Sequence, residues 1–318
     1  MKFLCLHGRG TNSDIFEAQL GPLISQLSSQ HTFDFVDAPS ESAAAPGIAK
    51  FYPGPYLAWF SRYEPEHVEE THQYLRTIIN EDGPYDGIIG FSQGASLAAS
   101  MLLAEEFYRA NGHAEATRSL PFKVAIFFNS VMLFSPSEEI GDDITQQIKQ
   151  QEERYIGFLN GSDDWQQSSS TSTLPPSPTS TTASGPIMWK MPNWDLSSTS
   201  LSSLSSNSSD NMENNREFQA ARKRSVAFES TRLLKTPLVY GFVPSQFPHR
   251  ISIPTLHVIG KNDEFAEHSK TLVKLCKSDK AEVLITDGAH DLPRSKSALD
   301  ECAKIFDLVT MMASLIDL

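Results

Sequence analysis

Ser92 sits in the run YDGIIGFSQGASLAAS with Gly90 and Gly94 two residues to either side. That is the G-x-S-x-G spacing of a sharp strand-to-helix turn, which lifts the serine oxygen clear of a sheet while the glycines let backbone and helix approach without a Cβ between them. A hydroxyl is a poor nucleophile at neutral pH. It needs an imidazole to take its proton, and the imidazole needs a carboxylate to hold its tautomer and stabilise its charged form. Both partners arrive later in the chain, Asp263 in IGKND and His290 in DGAHD, each in a polar loop that follows an apolar run. Attack on an acyl carbon is the chemistry such a set performs, with Ser92 attacking, His290 as base and then acid, and Asp263 orienting His290.

The letters around Ser92 are a weak signal, since composition alone yields such a triplet in about one chain in ten of this size. Context carries more. Gly87, Ile88 and Ile89 form an apolar strand candidate before it, and Ala95, Leu97, Ala98, Met101 and Leu102 a helical pattern after it. The order Ser92, Asp263, His290 is that of an α/β hydrolase. Rivals exist for two of the three. Asp163 and Asp164, in FLNGSDDW, also resemble a strand exit, although the composition that follows disfavours them. His7, His249, His257 and His268 compete with His290; His257 falls inside a strand, His268 within a helix, and His7 reads as a brace for the loop it begins. An oxyanion would need preorganised N–H donors: the amide after the nucleophile, Gln93, and one from the first strand's loop, Arg9 or Gly10.

The elements that must position these residues follow from apolar patterning. Residues 2–6 are apolar apart from Lys2 at the start, as a strand buried on both faces requires, and the loop His7-Gly8-Arg9-Gly10-Thr11-Asn12 lies at its carboxyl end, where an α/β fold builds its site. Ser13 and Asp14 can cap a first helix, which Gly21 and Pro22 should bend or break midway. Strands are expected at 32–36, 87–89, 123–128, 255–259 and 283–286, with helices at 64–80, after the elbow, through Leu272 and Cys276, and at the C-terminus on the stripe Leu299, Cys302, Ile305, Phe306, Val309 and Met312. This alternation predicts an α/β fold with a mostly parallel central sheet of about six strands and helices on both faces. The loop at 37–55 and its neighbours carry Phe51, Tyr52, Tyr56, Trp59 and Phe60, which either line a pocket or seal the core. One domain over 1–318 is expected, interrupted at 161–215 by a Ser/Thr/Pro-rich insertion that cannot supply a core. Trp165, Trp189 and Trp194 lie within it and either dock over a site or belong to a flexible segment, while helical character returns at 218–234.

Composition narrows the function. A formal charge of −13 argues against a phosphate-backbone partner, and Arg222-Lys223-Arg224 is too short to reverse it. Three widely spaced cysteines, Cys5, Cys276 and Cys302, form neither a CxxC pair nor a zinc cluster, so a cytoplasmic chain with no structural metal and no cofactor is expected. MKFLCLHG is too short for a signal-peptide apolar region, and no stretch approaches the length of a membrane span.

Four segments together, FLCLHGRGTN, YDGIIGFSQGA, IPTLHVIGKND and GAHDLP, resemble the FSH-type serine hydrolases, a family that includes fungal and yeast hydrolases and the human ovarian-tumour-associated esterase homologue. The resemblance leaves out chiefly 137–250, where the insertion falls and where a lid would lie. It implies an α/β-hydrolase fold, the triad Ser92, Asp263 and His290, and hydrolysis of an ester or thioester. It also implies a small-molecule or carrier-bound acyl substrate, including one held by an acyl-carrier domain of a polyketide synthase in fungal secondary metabolism. A general carboxylesterase, a non-catalytic binding module on the same fold, or an interaction protein regulated by phosphorylation of the insertion are the other readings; nothing marks the charged specificity pocket of a peptidase.

Overall fold

The structure is a computed structural model that describes residues 1–113, 120–150 and 237–315. The chain divides into a larger unit, Met1–Trp189 with Val239–Leu318, and a smaller one, Lys190–Leu238; every element named below belongs to the larger. The expectations for 161–215, for 218–234 and for Asp163 and Asp164 lie outside the described residues.

Strand β1 (Lys2–Leu6) is followed by helix α1 (Ser13–Ile24). The cap of α1 is Asn12 rather than Ser13 or Asp14: its backbone is extended and its Oδ1 accepts the Ile15 N–H at 2.9 Å. The helix also runs unbroken through Gly21 and Pro22. Pro22 lies so near the end that it removes one intrahelical bond, and the ladder resumes with Ser25 N–H to the Gly21 carbonyl at 2.9 Å. Strand β2 (Thr32–Val36) leads into a long connection in which β3 (Ser40–Glu41) pairs antiparallel with β4 (Leu57–Ala58). Its aromatics divide: Phe51 is exposed, whereas Trp59 and Phe60 are buried and seal the core, Phe60 meeting Phe134 edge-on.

Helix α2 (Pro65–Asp82) begins on the proline, whose missing N–H costs nothing in a first turn. Strand β5 (Gly87–Phe91) then turns into α3 (Gln93–Ala110), whose first thirteen residues, from Gln93 to Glu105, are all buried. A helix enclosed on all sides needs small side chains at its contacts, and Gly94, Ala95, Ser96, Ala98, Ala99 and Ser100 provide them. Strand β6 (Val124–Phe128) follows; β7 (Asp142–Asp143) pairs antiparallel with β8 (Tyr240–Gly241) across the undescribed segment. The chain closes with β9 (Thr255–Gly260), α4 (Ala266–Lys274), β10 (Ala281–Thr286) and α5 (Lys296–Ser314), the last capped by Ser295 on the Ala298 N–H.

Six strands form one parallel sheet in the order β10-β9-β6-β5-β1-β2. The central strands β5, β6 and β9 are buried at every residue, while the edges β2 and β10 are partly exposed, as expected of a parallel sheet covered on both faces. On one face α5 presents Leu299, Cys302, Phe306, Val309 and Ala313 to a core built from Phe3, Ile126, Leu256 and Leu284. Each Leu, Ile, Phe and Val side chain among them stabilises the fold by about 1.5–3 kcal/mol. The chain leaves β1 toward one edge and reaches β5 on the other side of it, so the β1 and β5 exits flank the crevice of a topological switch point.

The three cysteines are free and buried, and burial pushes the thiols of Cys276 and Cys302 up to about 12. Among the described residues no helix is long and apolar enough to cross a membrane.

His72 and His257 are wholly enclosed, and burial pushes both imidazoles down to about 3. Their unfolded forms titrate near 6.5, so the unfolded chain binds more protons over the interval between, and folding stability is complete above about pH 6.5 and declines as pH falls toward 3. Denaturant unfolding at pH 7 and pH 5 should show a loss on the order of 2 kcal/mol for each of these histidines. Equal midpoints at the two pH values would contradict it.

Candidate active site

The loops that follow β1, β5, β6, β9 and β10 meet at the carboxyl edge of the sheet. Ser92 occupies the turn between β5 and α3 with φ 55° and ψ −115°, a backbone state that costs a non-glycine residue about 1–3 kcal/mol and persists where the surroundings over-determine it. Its N–H donates to the Phe128 carbonyl at 3.0 Å, and its own carbonyl starts α3 by accepting from Ser96 at 3.1 Å. Gly94 lets this happen: a Cβ there would lie 2.2 Å from the Leu6 carbonyl oxygen, so a side chain would push the helix start away from the end of β1.

The Ser92 Oγ lies 2.9 Å from His290 Nε2, and His290 Nδ1 lies 3.0 Å from each oxygen of Asp263. An Nδ1–H held by the carboxylate leaves the Nε2 lone pair facing the serine hydroxyl. The Asp263 side chain is fully enclosed, and a buried carboxylate requires such partners; besides His290, its Oδ1 accepts the Phe265 N–H at 2.8 Å. The imidazole is set between two rings, Phe91 at 5.3 Å and Phe265 edge-on at 5.1 Å. The rival histidines stand elsewhere. His257 lies within β9 against Thr255 Oγ1, His249 packs on Phe107 and Phe247, and His268 stacks on Phe265. Burial lowers His268 and His7 below the usual imidazole value.

His7 braces the loop after β1. Its Nε2 accepts the Ala38 N–H at 3.1 Å, which leaves Nδ1–H to donate to the Gly8 carbonyl at 2.8 Å. Of the two candidates for the one oxyanion donor expected from this loop, Gly10 is engaged, donating to the Leu57 carbonyl at 2.8 Å, because the β3–β4 connection folds back against it. The Arg9 and Gln93 amides have no acceptor among the described residues, and Gln93 stands at the first position of α3, where backbone donors are unpaired. The Gln93 side chain has a separate task that its sequence context did not reveal: Oε1 accepts the Trp59 N–H at 2.8 Å and Nε2 donates to the Phe60 carbonyl at 2.9 Å. Trp59 Nε1 in turn donates to the His7 carbonyl at 2.8 Å, so one aromatic ties the elbow to the β1 loop. The partner of each bond is more than thirty residues away, and the sequence signal was no more than an aromatic beside a Gly/Pro-rich loop.

The serine hydrolase (FSH1) family profile matches residues 1–174 and 199–302. The chain belongs to the FSH1 serine hydrolase family. It is similar to the esterase alnB of Emericella nidulans, at 30% identity over 92% of this chain and 91% of that one. It is similar also to the hydrolase FUB4 of Gibberella moniliformis, at 27% identity over 96% of this chain and 97% of that one. Over a shorter stretch it is 41% identical to the esterase FPY3 of Fusarium mangiferae, covering 40% of this chain and 56% of that one. The protein is therefore a serine hydrolase with an α/β-hydrolase fold.

Near the site of this FSH1-family chain is an apolar cavity of about 230 Å³, lined by Met132, Leu133, Ile144, Phe242, Val243 and His268 among others. Its lining contains none of the triad residues; the link to them runs through His268, which stacks on Phe265, and Phe265, which meets His290. A polar depression of about 480 Å³ against β2, with Asp14, Glu17, Asp34 and Asp82, contains none of the triad residues.

Gly94→Ala should destabilise the protein by about 1–3 kcal/mol through overpacking and lower activity with it, as read by denaturant unfolding and ester turnover. Parent-like stability and turnover would contradict the close approach of α3 to β1.

Proposed function

We propose that this serine hydrolase cleaves an ester or thioester through an acyl-enzyme formed on Ser92. The observation that carries the reading is the unbroken series of contacts from Ser92 Oγ to His290 Nε2 at 2.9 Å and from His290 Nδ1 to Asp263 at 3.0 Å. His290 takes the hydroxyl proton as Ser92 Oγ attacks the acyl carbon, and Asp263 stabilises the imidazolium that results. The carbonyl oxygen, now an oxyanion, receives the Gln93 and Arg9 amides, with the positive end of α3 behind it. His290 returns the proton to the departing alcohol or thiol. Water then enters, loses a proton to His290, attacks the acyl-enzyme and releases the acid, regenerating Ser92.

The substrate proposed is a small acyl ester or a carrier-bound acyl thioester, with the acyl portion lying in the Met132–Phe242 cavity. The apolar lining, and the ring series from its His268 through Phe265 to His290, support that placement. Within it, an acyl-carrier domain of a polyketide synthase is the proposed macromolecular partner, suggested by the resemblance to fungal members; a general carboxylesterase is the second reading, supported by the esterase names of the relatives. Three buried free thiols support a reducing compartment, the cytoplasm.

A fluorophosphonate should label Ser92, and Ser92→Ala should lower turnover of p-nitrophenyl esters at least about 1000-fold. Retained activity in that variant, or an adduct elsewhere, would sink the mechanism. Parallel assays with acyl N-acetylcysteamine thioesters decide between carrier release and general ester cleavage by the ratio of kcat/KM. Met132→Trp, which fills the cavity, should depress octanoyl turnover about tenfold or more relative to acetyl; an identical chain-length profile in parent and variant would remove the cavity from the substrate's path.

A further inference from the structure

Among the described residues, the non-glycine positions with positive φ are Ser92 and Asn129, at 55° and 44°. The two are neighbours, since the Ser92 N–H donates to Phe128, the residue before Asn129. Asparagine is among the side chains that tolerate this left-handed region, yet Asn129 does more than turn the chain. It is buried at the exit of β6, and each group of its amide faces a different loop. Oδ1 accepts the Gly260 N–H at 2.8 Å, at the root of the loop that carries Asp263. Nδ2 donates to the Asp291 carbonyl at 2.7 Å, with the Ala289 carbonyl at 3.5 Å, on either side of His290.

Those two loops are already pressed together. A Cβ on Gly260 would stand 2.2 Å from the Ala289 carbonyl oxygen, and the Asn262 N–H donates to the Gly288 carbonyl at 2.9 Å. Such contacts hold the loops side by side, and Asn129 adds to each a bond from the exit of β6, next to the residue that holds the Ser92 amide. The Asn129 backbone is anchored in the sheet: its own N–H donates to the Val258 carbonyl at 2.9 Å, extending the β6–β9 ladder. A planar amide with one acceptor and one donor at fixed separation, anchored in the sheet beside Ser92, therefore sets the position of both loops from one origin.

We propose that Asn129 is a positioning residue for the reaction, fixing His290 and Asp263 relative to each other and to Ser92. This rests on the acyl-enzyme reading above. Two substitutions isolate it. Asn129→Gly removes the amide while suiting the positive φ, so the backbone has no reason to rearrange. Asn129→Asp keeps size and the acceptor for Gly260 but turns an oxygen toward the Asp291 carbonyl.

Fluorophosphonate titration counts competent Ser92 in each preparation, and kcat is expressed per titrated site, so partial unfolding does not enter. Both variants should lose about 10–100-fold in kcat per site, by analogy with the outer-shell partners that orient metal-bound histidines, and should react more slowly with the fluorophosphonate, while KM for p-nitrophenyl acetate stays within about twofold. A kcat per titrated site within threefold of the parent, or a rise in KM with kcat retained, would overturn the proposal. Absence of Ser92 labelling in the parent protein would overturn the chemistry and the clamp together, whereas labelled Ser92 with parent-like turnover in both variants would overturn the clamp alone.

Discussion

Ser92 holds a backbone conformation that an isolated serine would abandon, and much of the molecule is arranged so that it cannot. The end of β1 sits beneath the first turn of α3 at a distance that leaves no room for a Cβ on Gly94, and the Phe128 carbonyl holds the serine amide. The strain, about 1–3 kcal/mol, is small against the burial of the whole N-terminal part of α3 and of β5 and β6 on either side. Because the sheet is parallel, the same edge that receives the elbow also receives the exits of β1, β9 and β10. A donor loop, a carboxylate and an imidazole thus reach one crevice from strands far apart in sequence.

What could be read in the sequence was whatever a single local segment dictates. Apolar runs such as Phe3-Leu4-Cys5-Leu6 and Val124-Ala125-Ile126-Phe127-Phe128 mark strands buried on both faces, and the glycines around Ser92 mark a turn whatever lies beyond it. The stripe on α5 is helical in period and, at Leu299, Cys302, Phe306 and Val309, core in fact; Ile305 and Met312 are half-buried at its margin. Boundaries moved by a residue or two: Asn12, not Ser13, accepts the first amides of α1, because the cap must stand outside the helix with an extended backbone.

What could not be read depends on partners distant in the chain. Gly10 looks as available as Arg9 until Leu57 folds back to take its amide. Gln93 appears as an anonymous residue after a nucleophile, yet its side chain holds the backbone at Trp59 and Phe60. Asn129 is one polar residue at the end of an apolar run, a place where asparagine is unremarked until Gly260 and Asp291 are seen at its two ends. The histidines make the point in reverse. His7, His72 and His257 are interior side chains held neutral by burial, and what separates them from His290 is the company of a carboxylate on one ring nitrogen and a serine on the other.

The small ladder between β7 and β8 has a consequence for how this chain can vary. Asp142 pairs with Gly241 and Asp143 with Tyr240, and just beyond them the Val239 N–H donates to Thr145 Oγ1 at 2.9 Å. The described segments that precede residue 151 and follow residue 236 are therefore fastened to each other at β7 and β8. For a connection fastened in this way the closure cost grows only logarithmically with length, about 0.6 kcal/mol for each doubling. By that arithmetic, a change in the number of residues between β7 and β8 places little added demand on the ladder that joins them.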